Sequence, residues 1–280
     1  MGMSINTNLS ALNTYRNLNS TQNDLSKSLE KLSSGLRINR AADDAAGLSI
    51  SEGLKSQVGG LTVAARNAQD GISVVQTAEG GLTETHSILQ RMRDLAVQAG
   101  NDSNNADSRT SIQTEVTELS KELTRIADST QFNGIDLLKG AGNNNGASLT
   151  FQVGANAGVA SQITVDLTGA DVAGVATAVS TLTFDNATNA QAAITAIDTQ
   201  IKNVSTARSN IGAVQNRFDH AINVTNVAKE NLTAAGSRIT DVDMAEEMVK
   251  YTRDNILSQA GTSMLAQANQ STQGVLSLLR

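Results

Sequence analysis

Residues 61–99 read LTVAARNAQDGISVVQTAEGGLTETHSILQRMRDLAVQA. Within them Leu61, Ala64, Ala68, Gly71, Val75, Ala78, Leu82, Thr85, Leu89, Met92, Ala96 and Ala99 follow one another at steps of three or four, and only Thr85 is plainly polar. A repeat sustained that long belongs to a helix packed lengthwise on other helices. The small residues in the seam let those neighbours come close. The helical pattern extends over 47–100. At a rise of about 1.5 Å per residue it predicts a helix roughly 80 Å long, which is a rod rather than an ordinary globular domain.

Upstream, segment 5–36 carries Leu18, Leu25, Leu29, Leu32 and Leu36, the last four spaced as a coiled-coil seam. The polar run Asn39–Asp44 either joins two helices or continues one. Downstream, Gly100–Asn105 is a loop by composition, and Ile112, Val116, Leu119, Leu123 and Ile126 mark a shorter helix. Phe132-Asn133-Gly134 is a turn signal. The period then changes to two: Leu149, Phe151 and Val153 alternate with polar residues, as do Ile163, Val165 and Leu167. This predicts a β-hairpin near 149–167. Residues 168–190 read as irregular, with one short strand near Leu182–Phe184. Helical period returns at Ile194 and runs to about 235, where Gly236-Ser237-Arg238 reads as a break or bend. In the last stretch, 241–280, Met244, Met248, Ile256, Ala260, Met264 and Ala268 form one side.

The expected fold is mainly α: a long antiparallel helical bundle or coiled-coil rod with a small β-hairpin region in the middle of the chain. Two long helices separated by a reversing insertion lie antiparallel, which places both termini at one end. The expected domains are 1–45 plus 240–280, formed by the terminal helices, and 46–239, a helical rod with the hairpin.

Composition narrows the function. The 280 residues include no Pro, Cys or Trp, and aromatics make up 2%. An aliphatic, Ala-rich core therefore replaces the aromatic packing common in compact enzymes. The net charge of -6 and pI near 5.0 argue against a nucleic-acid partner. Without cysteine there are no disulfides, thiol chemistry or thiolate-held metals. No charged region precedes an apolar stretch of signal-peptide type, and no run of 18 apolar residues occurs, so neither a cleaved leader nor membrane insertion is expected.

The two terminal segments are amphipathic and rather apolar. A lone helix pair buries too little surface to be stable. Apolar ends that one chain cannot satisfy imply partners, and further copies of the same chain are the simplest. A heterologous contact that does not close on itself builds a helical filament.

Specific strings sharpen this. They include Ile5-Asn6-Thr7-Asn8, Leu32-Ser33-Ser34-Gly35-Leu36-Arg37-Ile38-Asn39, Asp43-Asp44-Ala45-Ala46-Gly47 and Arg66-Asn67-Ala68-Gln69-Asp70-Gly71-Ile72-Ser73. Further along come Gln131-Phe132-Asn133-Gly134, Gln152-Val153-Gly154-Ala155-Asn156 and Gly212-Ala213-Val214-Gln215-Asn216-Arg217-Phe218. The C-terminal part holds Gln259-Ala260-Gly261-Thr262-Ser263-Met264-Leu265-Ala266-Gln267-Ala268-Asn269 and closes on Val275-Leu276-Ser277-Leu278-Leu279-Arg280. In these strings, over roughly 1–165 and 190–280, the chain resembles bacterial flagellin, in a minimal form with core domains only.

The resemblance implies an extracellular structural subunit of the flagellar filament that serves motility. Its terminal helices would form an inner tube, and the helices and hairpin that follow would form an outer shell. It implies export as an unfolded chain through the flagellar type III channel, without a cleaved signal peptide. Implied partners are the chain itself as a helical homopolymer, an export chaperone on the C-terminal segment, and the filament cap and hook-junction proteins. The stretch Leu89–Val97 resembles the part of flagellins read by the vertebrate innate immune receptor for flagellin. Carried over singly, Gln90, Arg91, Leu95 and Glu115 occupy the matching positions, where they serve subunit packing, receptor recognition or both.

Other residues read more plainly. His86 and His220 are the only histidines, and two alone make a poor zinc site. Asp43-Asp44 looks like an acid–base pair, but neighbouring residues on a helix point apart. Gly59-Gly60 and Gly80-Gly81 lie in helical pattern and match no phosphate loop, so they serve close packing. The Ser/Thr-rich middle is a candidate for O-linked sugars at no particular site. No cofactor and no enzyme activity are expected. The competing readings are a hook–filament junction protein, or a secreted coiled-coil effector or adhesin.

Overall fold

The computed structural model describes residues 8–140 and 148–278, with the backbone alone from 271. The strings at Ile5-Asn6-Thr7 and Leu279-Arg280 lie outside these residues. The elements are α1 (Leu9–Ser34), α2 (Ala45–Ala99), α3 (Ala106–Ser129), β1 (Gln131–Phe132), β2 (Ile135–Asp136), β3 (Ser148–Gln152), β4 (Gln162–Asp166), α4 (Val172–Ser180), α5 (Ala187–Thr240) and α6 (Met244–Leu278). They divide into two compact units: residues 1–56 with 231–280, and residues 57–230.

In the first unit α1 and α6 run antiparallel. Near the start of α1, Asn8 Nδ2 donates to Ala268 O at 2.9 Å. Further along, Leu18 lies against Gly261, where an added Cβ would come within 3.2 Å of Leu18 Cδ1. Asn8 also caps α1, accepting from Ala11 N at 3.1 Å. Gly35, at φ 72°, ends the helix with its N–H on Lys31 O. The chain then meets its own far end. Arg37 N donates to Thr240 O at 2.6 Å and Val242 N to Gly35 O at 3.1 Å. The Arg37 guanidinium holds Ile239 O through Nε and Nη2 at 3.2 and 2.9 Å.

The run 39–44 joins two helices rather than continuing one. Asp43 Oδ2 accepts from the N–H groups of Asn39 and Arg40 at 3.1 and 2.9 Å, and Asp44 Oδ1 accepts from Gly47 N at 2.8 Å where α2 begins. The two carboxylates thus serve two different backbone turns.

In the second unit the seam predicted over 61–99 faces inward. Ala64, Ala68, Val75, Ala78, Leu82, Leu89, Met92, Ala96 and Ala99 are buried, and the one polar member, Thr85, satisfies its hydroxyl on Gly81 O at 2.8 Å. α5 lies antiparallel to α2: Arg93 pairs with Asp198 at 2.6 Å, and Phe218 covers Gly71. Phe218 also meets Phe151 of β3 edge-on, at 5.6 Å and 85°. β3 and β4 pair antiparallel with Leu149 opposite Val165 and Phe151 opposite Ile163, which is the register the alternation implies. Asn133 and Gly134 both have positive φ, 50° and 77°, as the two-residue turn joining β1 to β2 requires.

The sequence reading misses two features. Residues 172–180 are helical, not irregular, and no strand forms at 182–184. Asp171 caps this helix through Gly174 N at 2.8 Å, and Val172, Val175, Ala176 and Val179 are buried. Gly236 does not interrupt α5 either, because the helix continues to Thr240. The glycine pairs are also asymmetric. A Cβ on Gly59 or Gly80 would meet nothing within 4 Å. On Gly60 it would lie 2.9 Å from Ala155 Cβ, and on Gly81 2.5 Å from Leu138 Cδ1. Only the second glycine of each pair is needed for packing, and what it admits is the β3–β4 turn or the segment after β2.

Candidate functional site: outward apolar faces of the terminal helices

The α1–α6 pair is inverted relative to an ordinary amphipathic hairpin. On α6, Glu247 and Asp254 are buried to 5% and 6% exposure, and on α1 Ser28 is buried to 5%. Leu18, Leu25 and Leu32 are only partly covered. By contrast Leu9, Leu12, Tyr15 and Leu29 of α1 are exposed, as are Met244, Met248, Val249, Ile256, Leu257 and Met264 of α6. Of the α6 residues singled out from sequence as one apolar side, Met244, Met248, Ile256 and Met264 are exposed, whereas Ala268 lies at the α1 contact, where its carbonyl accepts from Asn8. Leu29 leaves the seam it was assigned to.

The buried acids of α6 find cations on their own helix. Asp254 Oδ1 accepts from Arg253 Nε at 3.1 Å, and Lys250 Nζ lies 2.8 Å from Glu246 and 3.7 Å from Glu247. The Glu246 hydrogen bond holds the Lys250 ammonium above its ordinary pKa. Charges buried in a seam contribute little net stability, since desolvation offsets their attraction. The pair is accordingly held mainly by its partly covered leucines and its end contacts.

On its outer side α6 carries a groove of about 540 Å3 lined by Ala245, Met248, Val249, Thr252, Ile256 and Leu257, with Arg253 at its edge. Val249, Leu257, Leu9, Leu12 and Tyr15 belong to the exposed surface, yet sequence periodicity did not find them. The available signal was that apolar residues occur around most of the circumference of these helices, more than one partner helix needs.

The residues matched to the immune-receptor segment lie on the second unit. Arg91 reaches from α2 to α3, placing Nε and Nη2 at 2.9 and 2.7 Å from Glu115 Oε1. Both side chains remain well exposed. Gln90 instead turns along α2 to His86 Nε2 at 3.0 Å. Leu95 is buried at 2% exposure and belongs to the core. Arg91 and Glu115 are thus brought together, Gln90 lies beside them on the surface, and Leu95 lies beneath. His86 and His220 do not converge: the first bonds Gln90, and the second is exposed. Among the described residues there is no group of three His, Cys, Asp or Glu suited to a metal, and no helix long and apolar enough to cross a membrane.

Comparison with known proteins identifies the architecture. Residues 5–143 match the bacterial flagellin N-terminal helical region, and residues 194–279 match the bacterial flagellin C-terminal helical region. Among the described residues the intervening stretch holds β3, a 3-10 turn at Val159–Ser161, β4, α4 and the start of α5. A flagellin of Halalkalibacterium halodurans is 53% identical over 99% of this chain and 100% of its own length. A flagellin of Bacillus subtilis is 48% identical with the same coverage. The crystal structure of Bacillus cereus flagellin superposes with a TM-score of 0.50 at 31% identity, covering 57% of this chain and 88% of that one. With both terminal regions matched in order, and relatives this similar along the whole chain, the protein belongs to the bacterial flagellin family.

Proposed function

We propose that this chain is the structural subunit of a bacterial flagellar filament, and that it polymerises through α1 and α6. The observation that carries the reading is the terminal pair's apolar surplus: Glu247, Asp254 and Ser28 take up buried positions while large apolar side chains stand outside. Among the described side chains, ten large apolar ones stand exposed on these two helices. Covering what each still exposes contributes about 1 kcal/mol, or roughly 10 kcal/mol per subunit as an upper figure. That is of the same order as the freedom a subunit loses on association, about 4–15 kcal/mol. The terminal faces alone therefore bring assembly near balance, and contacts of residues 57–230 add the rest.

In this reading the terminal helices form the inner tube, and the helices and hairpin of 46–239 form the outer shell. An α6 face left bare in the cytoplasm needs a cover before export, which is the role of an export chaperone. Passage as an unfolded chain suits a terminal pair whose seam is weak. The filament lies outside the cell and meets cap and hook-junction proteins at its two ends. Arg91 and Glu115, exposed and joined across α2 and α3, are the surface on which subunit packing or innate immune recognition would act.

The test is electron microscopy of the purified chain and of versions lacking 1–40 or 241–280. Long helical filaments from the full chain, and none from either truncation, are expected. Filaments from the truncated chains would refute the assignment to the termini. Soluble monomers from the full chain under all conditions would refute polymerisation itself.

A further inference from the structure

The chain has no cysteine and six methionines. Four of the six lie among the described residues, and they divide sharply. Met92 is 0% exposed in the core of the second unit. Met244, Met248 and Met264 are 49%, 52% and 59% exposed, all on α6. Met248 lines the outer groove beside Val249 and Ile256. With no thiol to react first, exposed thioethers are the most readily oxidised groups of the molecule, and three of them stand exposed on α6.

We infer that Met244, Met248 and Met264 are peroxide-sensitive modification sites whose oxidation disables assembly through α6. The inference rests on the proposed polymerisation through that helix. The step is an oxygen transfer. The thioether sulfur attacks one oxygen of hydrogen peroxide, the O–O bond breaks as an S–O bond forms, and the proton on the transferred oxygen passes to the leaving hydroxide, giving sulfoxide and water. Sulfur is oxidised by two electrons while the peroxide is reduced to water. The product is a sulfoxide, a strong acceptor on a side chain that was flexible and apolar. Buried against a neighbour without a donor, that oxygen opposes association.

The same helix tolerates the sulfoxide while unassembled, since all three side chains face solvent. Oxidation therefore acts on assembly and leaves the subunit's own fold in place. It also acts in one direction: a subunit already in the filament has these sulfurs covered, and a free one does not. Methionine sulfoxide reductases reverse the step.

The experiment treats unassembled chain with hydrogen peroxide, maps each methionine by peptide mass spectrometry, and measures the critical concentration for polymerisation. Sulfoxide is expected at 244, 248 and 264 well before 92, with at least a tenfold rise in critical concentration. The thermal transition of the second unit should stay unchanged. Reduction by sulfoxide reductases A and B should restore assembly. A chain carrying Met244→Leu, Met248→Leu and Met264→Leu keeps the apolar volume and should polymerise normally after peroxide. The inference is overturned if fully oxidised chain polymerises at the unchanged critical concentration. It is equally overturned if the triple variant assembles untreated yet remains peroxide-sensitive. Should untreated chain form no filaments, the underlying proposal fails rather than this one.

Discussion

Gly80 and Gly81 are neighbours on α2, and replacing each by alanine should change stability in different directions. In a helix interior, alanine is favoured over glycine by about 1 kcal/mol. At Gly80 a new Cβ meets nothing within 4 Å, so Gly80→Ala should gain that amount in full. At Gly81 the new carbon would stand 2.5 Å from Leu138 Cδ1 and 3.0 Å from Thr130 Oγ1. Ordinary carbon contact is about 3.5–4.0 Å, so Leu138 must retreat by roughly 1 Å. Leu138 is 0% exposed, so its shift must be taken up within the core. Overpacking of this kind costs about 1–3 kcal/mol. Gly81→Ala should therefore range from neutral to about 2 kcal/mol destabilised. For a unit of 57–230, each kcal/mol moves the midpoint by about 2–4 °C. Calorimetry of unpolymerised chain should show Gly80→Ala melting about 2–4 °C higher and Gly81→Ala unchanged or lower. A gain at Gly81 equal to that at Gly80 would mean that Leu138 and Thr130 do not press on this point of α2, and the packing argument would be wrong.

Phe218→Ala removes the ring that covers Gly71 and meets Phe151, and should cost about 3–5 kcal/mol by denaturant titration. Arg91→Ala breaks an exposed ion pair and should cost less than about 1 kcal/mol, so any larger loss of filament formation or receptor signalling reports contact rather than folding. Replacing both buried acids, Glu247→Leu with Asp254→Leu, should raise the helicity of unpolymerised chain, read by circular dichroism, because two desolvated carboxylates give way to apolar packing while their cations, Lys250 and Arg253, stay solvated. Backbone N–H groups of Arg40 and Asn39 hold the Asp43 carboxyl below the usual range. Its contribution is then complete above the unfolded pKa near about 3.9 and is lost as pH falls through the lower folded value. Acid unfolding of the 1–56 and 231–280 unit should show Asp43→Asn weaker than the native chain at pH about 6, with the gap closing at low pH.

Long periodic segments were readable because each carries many turns of one pattern. The α2 seam sits in the core nearly as written, and Thr85 fits by bonding its own helix. The β3–β4 register follows from alternation of Leu149 and Phe151 against Val165 and Ile163. α4 was missed although Asp171, Val172, Val175, Ala176 and Val179 carry cap and period. Its nine residues are short, and Gly, Thr and Val weaken helix propensity until burial against α3 overrides it. Gly236 misled in the opposite sense, since one glycine costs only about 1 kcal/mol and the long helix absorbs it. The outward faces were the hardest to read. Amphipathic period states that a helix has an apolar side but not which partner covers it. Among the described residues nothing covers Met248 and Ile256 fully, and both stay more than half exposed. Arg91 and Glu115 could be paired only once α2 and α3 were placed side by side.

The clasp at Gly35–Arg37 and Ile239–Val242 bears on how the family can change. Main-chain groups bridge it, reinforced by the Arg37 guanidinium on Ile239 O. It holds the outgoing and returning strands of the chain at hydrogen-bond distance. The terminal pair therefore makes one geometric demand on whatever is strung between: its two ends must lie side by side. Any module meeting that demand can be lengthened, trimmed or exchanged while the register of α1 and α6 stays put. Such a chain works as a socket with a replaceable fitting.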